Sequence, residues 1–236
     1  MIFNKIIKKI RELQKKSKNN NQVINDGLLQ DKYLNELELS YLYSIFNLFQ
    51  KVKNLPGHIV ELGVGGGRNS ILFASLLKFT SQHSNSKYFG FDTFGNYTEK
   101  DFLENPTLNK NKLKWNNNSL EFVKNRIKKK GLDKICNFVE GDIRTTIDSF
   151  FNNNHSRFSK DSFHCKLIYV DTSAYTPAKI GIEKFYDKLV PGGIISIDQR
   201  KQGGETNALV DFCKEKSINL QTGDFFNDIP AYIIKK

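Results

Sequence analysis

The chain carries the sequence HIVELGVGGGRNSILFASLL between His58 and Leu77, and this stretch is the strongest indication of its fold. A short apolar run, Ile59-Val60, precedes four glycines within five positions, Gly63 and Gly65–Gly67. Apolar residues then recur at helical spacing. A strand, a glycine turn and a helix in this order are typical of the nucleotide-binding entry of a doubly wound α/β sheet. Glycine allows the sharp turn and lets a ligand approach the main chain.

The spacing of the glycines, together with the acid before them, indicates which ligand the turn binds. A dinucleotide site favours G-x-G-x-x-G, with a pyrophosphate on the helix N-terminus. Here the order is Gly63-Val64-Gly65-Gly66-Gly67, and Glu61 lies two residues before the first glycine. This E-x-G-x-G-x-G pattern resembles motif I of the class I S-adenosylmethionine (SAM) methyltransferases, whose ligand has no phosphate. A nicotinamide oxidoreductase is disfavoured, whereas a plain tight turn would also explain the glycines alone.

Length, composition and cysteine usage predict a globular cytoplasmic protein. The chain has 236 residues, 39% of them hydrophobic and 12% aromatic, which is enough for one α/β domain and a short extension. No apolar run approaches the ~20 residues of a membrane span. The three cysteines, Cys136, Cys165 and Cys213, are widely spaced and form no CxxC motif. This pattern argues against a disulfide framework or a structural zinc site, and it fits a reducing compartment.

The net charge of +11 is concentrated at the N-terminus. Residues 1–20 contain seven basic groups against Glu12, so they contribute +6 and leave +5 for the other 216 residues. The lysines elsewhere are dispersed, which predicts a solvated surface and no nucleic-acid partner. An RNA methyltransferase remains an alternative, and its binding would weaken steeply with salt.

We predict two domains, an N-terminal helical extension over 1–54 and a SAM-binding domain over 55–236. The extension combines a basic amphipathic helix near the N-terminus with a second amphipathic helix over 35–53. The apolar stripe of the first helix is expected to pack on its own domain or on a twin subunit, so we predict a homo-oligomer. Peripheral contact with a membrane surface is the alternative for this helix.

Further strands and helices alternate after the glycine turn and predict a Rossmann-like, seven-stranded, mostly parallel sheet with helices on both faces. The last two strands are expected to form an antiparallel pair. The predicted strands after the first are 88–92, 135–140, 167–171, 194–198, 218–221 and 231–234, and the predicted helices are 120–130, 145–152, 178–189 and 205–217. The polar stretch 94–118 is either a substrate lid or an unstructured insertion, with Tyr97, Phe102 and Trp115 as candidate contacts.

Acids close several of these strands, where a doubly wound sheet binds its ligand. Asp92 ends the second strand 25 residues after Gly67, so its carboxylate is expected to bind the ribose hydroxyls. In a SAM-binding fold the corner after the third strand faces the adenine, which places Asp142 and Ile143 beside it. Asp171 ends the fourth strand beside the expected methyl donor.

Five segments in the same order resemble the TylF/MycF (macrocin O-methyltransferase) branch of class I methyltransferases over residues 55–236. They are LPGHIVELGVGGG, FGFDTFGN, VEGDIRTTI, IYVDTSAYTPAKIGIEKFYDKLVPGGIISID and AYIIKK. The resemblance implies SAM-dependent methylation of a hydroxyl on a sugar or another small polar metabolite, in glycan or natural-product biosynthesis. It also implies a set of cofactor-binding residues: Glu61, Gly63, Val64, Gly65, Gly67, Asn69, Ser70, Asp92, Thr93, Phe94, Gly141, Asp142, Ile143 and Asp171.

Relatives in that branch hold Mg²⁺ between carboxylates that follow the fourth and fifth strands. Asp171 and Asp198 match two of these acids, and Gln199 offers a carbonyl oxygen as a third ligand. The chain departs from the family where D-x-D becomes Asp171-Thr-Ser173 and where Asp-Asp becomes Asp198-Gln199. Whether a metal binds is therefore open, and a SAM-binding protein without transfer chemistry is a further alternative.

The catalytic assignment follows from the same resemblance. Asp171 is expected to take the proton of the acceptor hydroxyl, with Asp198 supporting it. The family's histidine base has no clear counterpart, although His155 lies in a predicted loop. Tyr97 and Tyr175 are candidate substrate contacts.

Overall fold

The computed structural model describes residues 36–80, 85–104, 118–153, 162–198, 204–223 and 231–236, and every structural statement below concerns these residues. Residues from Ser44 to Lys236 form one compact unit. The predicted N-terminal basic helix lies outside the described residues, as do Trp115, His155 and Gln199. The domain boundary near residue 54 stays a prediction. No helix of the described part of the chain is long and apolar enough to cross a membrane.

The described strands form one mixed sheet of seven. The strands are β1 (His58–Leu62), β2 (Tyr88–Asp92), β3 (Cys136–Glu140), β4 (Cys165–Val170), β5 (Leu189–Ile197), β6 (Gln221–Thr222) and β7 (Ala231–Ile234). Their order is β3-β2-β1-β4-β5-β7-β6, in which β1 to β5 pair in parallel and β7 runs antiparallel to both of its neighbours. This arrangement confirms the predicted mostly parallel sheet.

Helices cover both faces of the sheet. The described helices are α1 (Glu36–Val52), α2 (Arg68–Phe79), α3 (Glu99–Glu104), α4 (Leu120–Lys129), α5 (Ile143–Asn153), α6 (Tyr175–Tyr186) and α7 (Gly204–Lys216). Ile147 of α5 and Ile182 of α6 belong to the core on one face, and on the other Phe73 of α2 packs edge-on against Tyr169 of β4. Burial on both sides explains why β4 is apolar almost throughout.

The fifth strand differs from the prediction because Pro191-Gly192-Gly193 lies inside it. Leu189 already pairs with Cys165, and the next pair joins Ile194 to Leu167, so five residues of β5 oppose two of β4. The bulge needs the positive φ of +79° at Gly192. Gly192 N–H still donates to the Lys235 carbonyl at 2.8 Å, so the backbone remains paired along the bulge.

One helix begins earlier than predicted, and one helix was not predicted. Helix α6 starts at Tyr175, before the predicted residue 178, and Pro177 falls in its first turn, where a backbone N–H has no intrahelical partner to lose. The segment 94–118, predicted as a lid or an insertion, contains the short helix α3. Thr98 and Asp101 cap its N-terminus, since Thr98 N–H donates to Asp101 Oδ2 at 2.6 Å.

Candidate active site

A cleft opens at the carboxyl edge of the parallel strands, which is where open α/β sheets bind their ligands. Nine of the predicted site residues line it: Gly63, Gly65, Asp92, Thr93, Tyr97, Gly141, Asp142, Ile143 and Asp171. The remaining lining residues escaped the sequence analysis: Gly95, Asn96, Asp101, Asn118, Arg144, Thr172, Ser173 and Pro177. Most of these follow β2 and β4, and although several lie in the quoted family segments, the sequence analysis did not assign them as site residues.

The glycine turn follows β1 and passes very close to the chain after β4. Gly63 has φ +89°, and a Cβ at this position would lie 2.1 Å from the Asp171 carbonyl oxygen. Asp171 N–H in turn donates to the Leu62 carbonyl at 2.7 Å. A residue with a side chain would therefore separate the two strand ends. Gly63 keeps the Asp171 loop against the turn, so both belong to one rigid wall of the cleft.

The Asp92 carboxylate shapes the glycine turn from the neighbouring strand. Its Oδ2 accepts the N–H groups of Val64 and Gly65 at 2.6 and 2.9 Å, and its Oδ1 accepts the Phe94 N–H at 2.7 Å. Hydrogen bonds to a charged acceptor are stronger than neutral ones. Each carboxylate oxygen has further lone pairs, so Asp92 can hold the turn and still accept a ribose hydroxyl.

Six predicted cofactor contacts do not line the cleft. Val64 and Phe94 pack into the core beside α4, because their side chains point away from the cleft. Glu61 and Ser70 are fully buried beneath the turn. Glu61 Oε2 accepts from the Tyr88 hydroxyl and from Ser70 Oγ. The six residues are Glu61, Val64, Gly67, Asn69, Ser70 and Phe94, and their part in cofactor binding stays a prediction.

Burial gives Glu61 an unusual proton affinity. Its pKa is raised to about 8, chiefly because burial penalises the charged carboxylate, although hydrogen bonds from Tyr88, Asn69 and Ser70 oppose this effect. The folded chain therefore binds this proton more tightly than the unfolded chain does. Stability from this group is highest below about pH 4.5 and falls as the pH rises towards 8.

We expect Glu61→Gln to remove part of the pH dependence of unfolding. Between pH 6.5 and 8 the wild-type free energy of unfolding should fall more steeply than that of the variant, by at most about 1.4 kcal/mol per pH unit. His58, whose pKa burial lowers to about 4, acts below pH 6.5 and stays outside this window. Urea unfolding at several pH values measures both slopes, with Glu140→Gln at an exposed strand end as the control. Equal slopes in wild type and Glu61→Gln would contradict the assignment.

Carboxylates meet where β4 and β5 end. The pKa of Asp171 is raised well above its ordinary value, first by burial and then by the charges of Asp198 and Glu205. Asp198 Oδ1 accepts a hydrogen bond from the Tyr169 hydroxyl. Asp171 therefore has a higher proton affinity than an exposed aspartate. This is the property that a proton acceptor needs near neutral pH.

Glu205 is a site residue that the sequence analysis missed. It is fully buried in the first turn of α7, and its Oε2 accepts the Ser173 N–H at 2.7 Å. Ser173 has φ +56°, a left-handed conformation that needs support in a residue with a side chain. Glu205 thus holds the loop that follows Asp171. The contact spans 32 residues, and in the sequence Glu205 is indistinguishable from an ordinary acid at a helix start.

Two further predictions concern Tyr175 as a substrate contact and Asp171 and Asp198 as metal ligands. The Tyr175 hydroxyl donates to Asp211 Oδ2 on α7 at 3.1 Å, and the residue is not among those that line the cleft. Its role as a substrate contact stays a prediction. Within the described ranges no three His, Cys, Asp or Glu side chains are grouped to hold a metal ion. The predicted ligands Asp171 and Asp198 lie near each other in that region.

Asp142 is engaged by Arg144 at the predicted adenine corner. Arg144 Nε lies 2.9 Å from both Asp142 carboxylate oxygens, and the Arg144 N–H donates to Oδ1 at 2.9 Å. Burial alone would raise the pKa of Asp142, but the hydrogen bonds and charge of Arg144 outweigh it and hold the pKa below its ordinary value. The carboxylate is therefore ionised, and an adenine amine would have to share it with Arg144.

Comparison with solved structures places the fold among methyltransferases. CalS11, a calicheamicin methyltransferase, aligns with a TM-score of 0.72 and 21% identity over 96% of this chain and 91% of that chain. An apo structure of CalS11, named a TDP-rhamnose 3'-O-methyltransferase, gives 0.65 and 22% over 97% and 93%. The O-methyltransferase NovP gives 0.66 and 18% over 84% and 80%.

A search of curated protein sequences found no match. The model of the family described as macrocin-O-methyltransferase (TylF) matches residues 42–226, which is most of the chain. This range contains the glycine turn, Asp92 and the carboxylates after β4 and β5. The chain therefore belongs to the macrocin-O-methyltransferase (TylF) family and is a SAM-dependent methyltransferase.

Proposed function

We propose that this protein methylates a hydroxyl group of a sugar or a similar small polyhydroxy metabolite. The observation that carries the proposal is one cleft that joins the glycine turn and Asp92 to Asp171. CalS11 is named a TDP-rhamnose 3'-O-methyltransferase, and the likeness in fold supports a sugar acceptor for this chain. Glycan or natural-product biosynthesis is the corresponding setting.

The cofactor side of the cleft fits SAM. Glycines leave its backbone bare at Gly63 and Gly65, and Asp92 offers two carboxylate oxygens to a ribose. Asp142 and Ile143 line the neighbouring corner for an adenine. When bound, SAM supplies a methyl group already activated by its sulfonium, so the protein needs to align the acceptor and take its proton.

We assign Asp171 as the residue that takes the proton of the acceptor hydroxyl. It lines the cleft beside the turn, and its raised pKa suits it to accept a proton from a hydroxyl. Asp198 acts through charge, because a second carboxylate nearby raises the proton affinity of Asp171. Glu205 keeps the Asp171–Ser173 loop in position through its bond to the Ser173 N–H.

The described part of the acceptor side offers mainly neutral groups to the hydroxyl that would react. Asn96, Asn118, Thr172 and Ser173 offer neutral hydrogen-bonding groups. Arg144 is paired with Asp142 and Asp101, so its charge is already neutralised. Among the described lining residues no other cation faces the cleft. These features favour sugar hydroxyls over a phosphodiester backbone and so argue against the RNA methyltransferase alternative.

Magnesium remains a proposal. Two mutually repelling carboxylates, Asp171 and Asp198, are groups that suit a hard dication, and Gln199 would add a neutral oxygen. The donor set fits only in part, since the described residues supply no third acid in a metal-binding arrangement. The assignment of Asp171 as the proton acceptor does not depend on a metal.

Titration with S-adenosylhomocysteine (SAH), followed by a screen of sugars and nucleotide sugars with SAM, tests the proposal. We expect SAH binding, and methyl transfer to at least one hydroxyl acceptor. SAH binding without transfer to any acceptor would favour a binding protein, and transfer to RNA with a steep salt dependence would favour the RNA alternative.

Repeating the SAH titration with Mg²⁺ tests whether a metal ion binds. Light scattering of the full chain tests the predicted homo-oligomer.

A further inference from the structure

The proposed reaction leaves Arg144 without a role, although it lines the cleft. Arg144 is the second residue of α5, and its side chain is 10% exposed. Nε contacts both oxygens of Asp142, and Nη2 lies 2.8 Å from Asp142 Oδ2. The guanidinium thus binds this carboxylate through two adjacent nitrogens. Lysine cannot reproduce such a planar, forked contact.

The same guanidinium reaches the start of α3. Nη1 lies 3.2 Å from Asp101 Oδ1, and Nη2 donates to Thr98 Oγ1 at 2.8 Å. Thr98 and Asp101 are the capping pair of α3, and Thr98 Oγ1 also donates to Asp101 Oδ2 at 2.7 Å. One side chain therefore fastens the N-terminus of α3 to the N-terminus of α5.

Charge makes this connection sensitive to the loss of Arg144. The Asp101 side chain is 8% exposed and faces the same cation as Asp142. Without the guanidinium, the two carboxylates would remain near each other and lose the cation that bonds to both, although the charge of Lys100 would still act on Asp142. A buried charge that loses its partner is costly, so the segment carrying Asp101 would be expected to move away from α5.

The two ends of the connection belong to different parts of the cleft. Asp142 follows Gly141, whose N–H donates to the Asp92 carbonyl at 2.9 Å, so this end adjoins the proposed ribose and adenine positions. The other end carries Asn96 and Tyr97, which line the cleft immediately before Thr98. Arg144 therefore connects the residues beside the proposed cofactor position to the residues that line the acceptor side.

We propose that Arg144 is a positioning residue that couples cofactor binding to the placement of residues 96–103 on the acceptor side. A ligand beside Asp142 restricts the carboxylate, the carboxylate restricts the guanidinium, and the guanidinium holds Thr98 and Asp101. The inference rests on the proposed function, because it requires SAM or SAH to occupy this cleft.

Hydrogen–deuterium exchange of the full chain with and without SAH tests the coupling. In wild type, SAH should slow exchange both in the glycine turn and in residues 96–103, the latter by about fivefold or more. In Arg144→Gln the turn should still respond, whereas residues 96–103 should not. Lys179→Gln, which removes a 2.6 Å ion pair to Glu215 between α6 and α7, is the matched control and should behave as wild type.

Arg144→Lys is a second variant, which keeps the test possible if Arg144→Gln does not fold. Lysine keeps the positive charge but lacks the planar, forked guanidinium. SAH should therefore slow exchange in residues 96–103 less than in wild type, while it still slows exchange in the glycine turn. A full SAH response of residues 96–103 in either Arg144 variant would overturn the inference. No SAH response even in the wild-type turn would instead overturn the proposed function, and the inference with it.

Discussion

Asp171→Asn is expected to lower the rate of methyl transfer by roughly 10²–10⁴-fold, the usual contribution of general base catalysis. Asparagine keeps the shape of the side chain but cannot take a proton from the acceptor hydroxyl. SAH carries no sulfonium charge, so its affinity should change little. SAM is a cation at the same position, and its affinity should fall because one negative charge is lost. Rates with saturating SAM and the two titrations separate these effects.

The pH dependence of the rate gives a second test of Asp171. Because burial and the charges of Asp198 and Glu205 raise its pKa, the wild-type rate should increase with pH through a limb above the range of an ordinary aspartate. Asp198→Asn removes a like charge, which lowers the pKa of Asp171 and shifts that limb to lower pH. Asp133→Asn, at an exposed position before β3, should leave both the limb and the rate unchanged. A wild-type rate in Asp171→Asn would place the base elsewhere.

The parts of the site that could be predicted are those encoded by neighbouring residues. The glycine turn and Asp92 follow from short-range patterns, because a strand, its closing turn and its terminal acid are adjacent in the chain. The seven-stranded sheet followed in the same way from alternating strands and helices. The bulge in β5 did not, since Pro191-Gly192-Gly193 has the composition of a turn and only pairing with Lys235 keeps it in the sheet.

The residues that sequence analysis missed act over long distances in the chain. Glu205 supports Ser173 from 32 positions away, and Arg144 reaches Thr98 across 46. Glu205 belongs to no motif, and Arg144 lies in the segment VEGDIRTTI, where the resemblance gave it no role. Each has an ordinary local explanation at the start of a helix. Glu61 shows the converse, because the motif that includes it is genuine but the side chain points beneath the turn towards Tyr88. A pattern locates the backbone of a site more reliably than it assigns the direction of each side chain.

Asp92→Ala should weaken SAH binding by roughly 10²–10⁴-fold. The half-buried carboxylate accepts three backbone N–H groups, and a hydrogen bond to a charged group contributes about 1.5–3 kcal/mol. Water entering the empty cleft would satisfy part of this loss, so two such bonds set the expected range. Asp92→Asn retains one carbonyl oxygen and should bind SAH with intermediate affinity. Asp133→Ala is the matched control, and wild-type affinity in Asp92→Ala would contradict the assignment.

Adenosine as a second ligand separates the two roles of Asp92. Adenosine contains the ribose and adenine of SAH but lacks its amino-acid portion. If Asp92 acts chiefly by binding ribose hydroxyls, Asp92→Ala should weaken both ligands by the same factor. If it acts chiefly by holding Val64 and Gly65, the distorted turn should weaken SAH more than adenosine, provided that the turn binds the amino-acid portion that adenosine lacks. The three backbone contacts to Asp92 in the structure lead us to expect the second result.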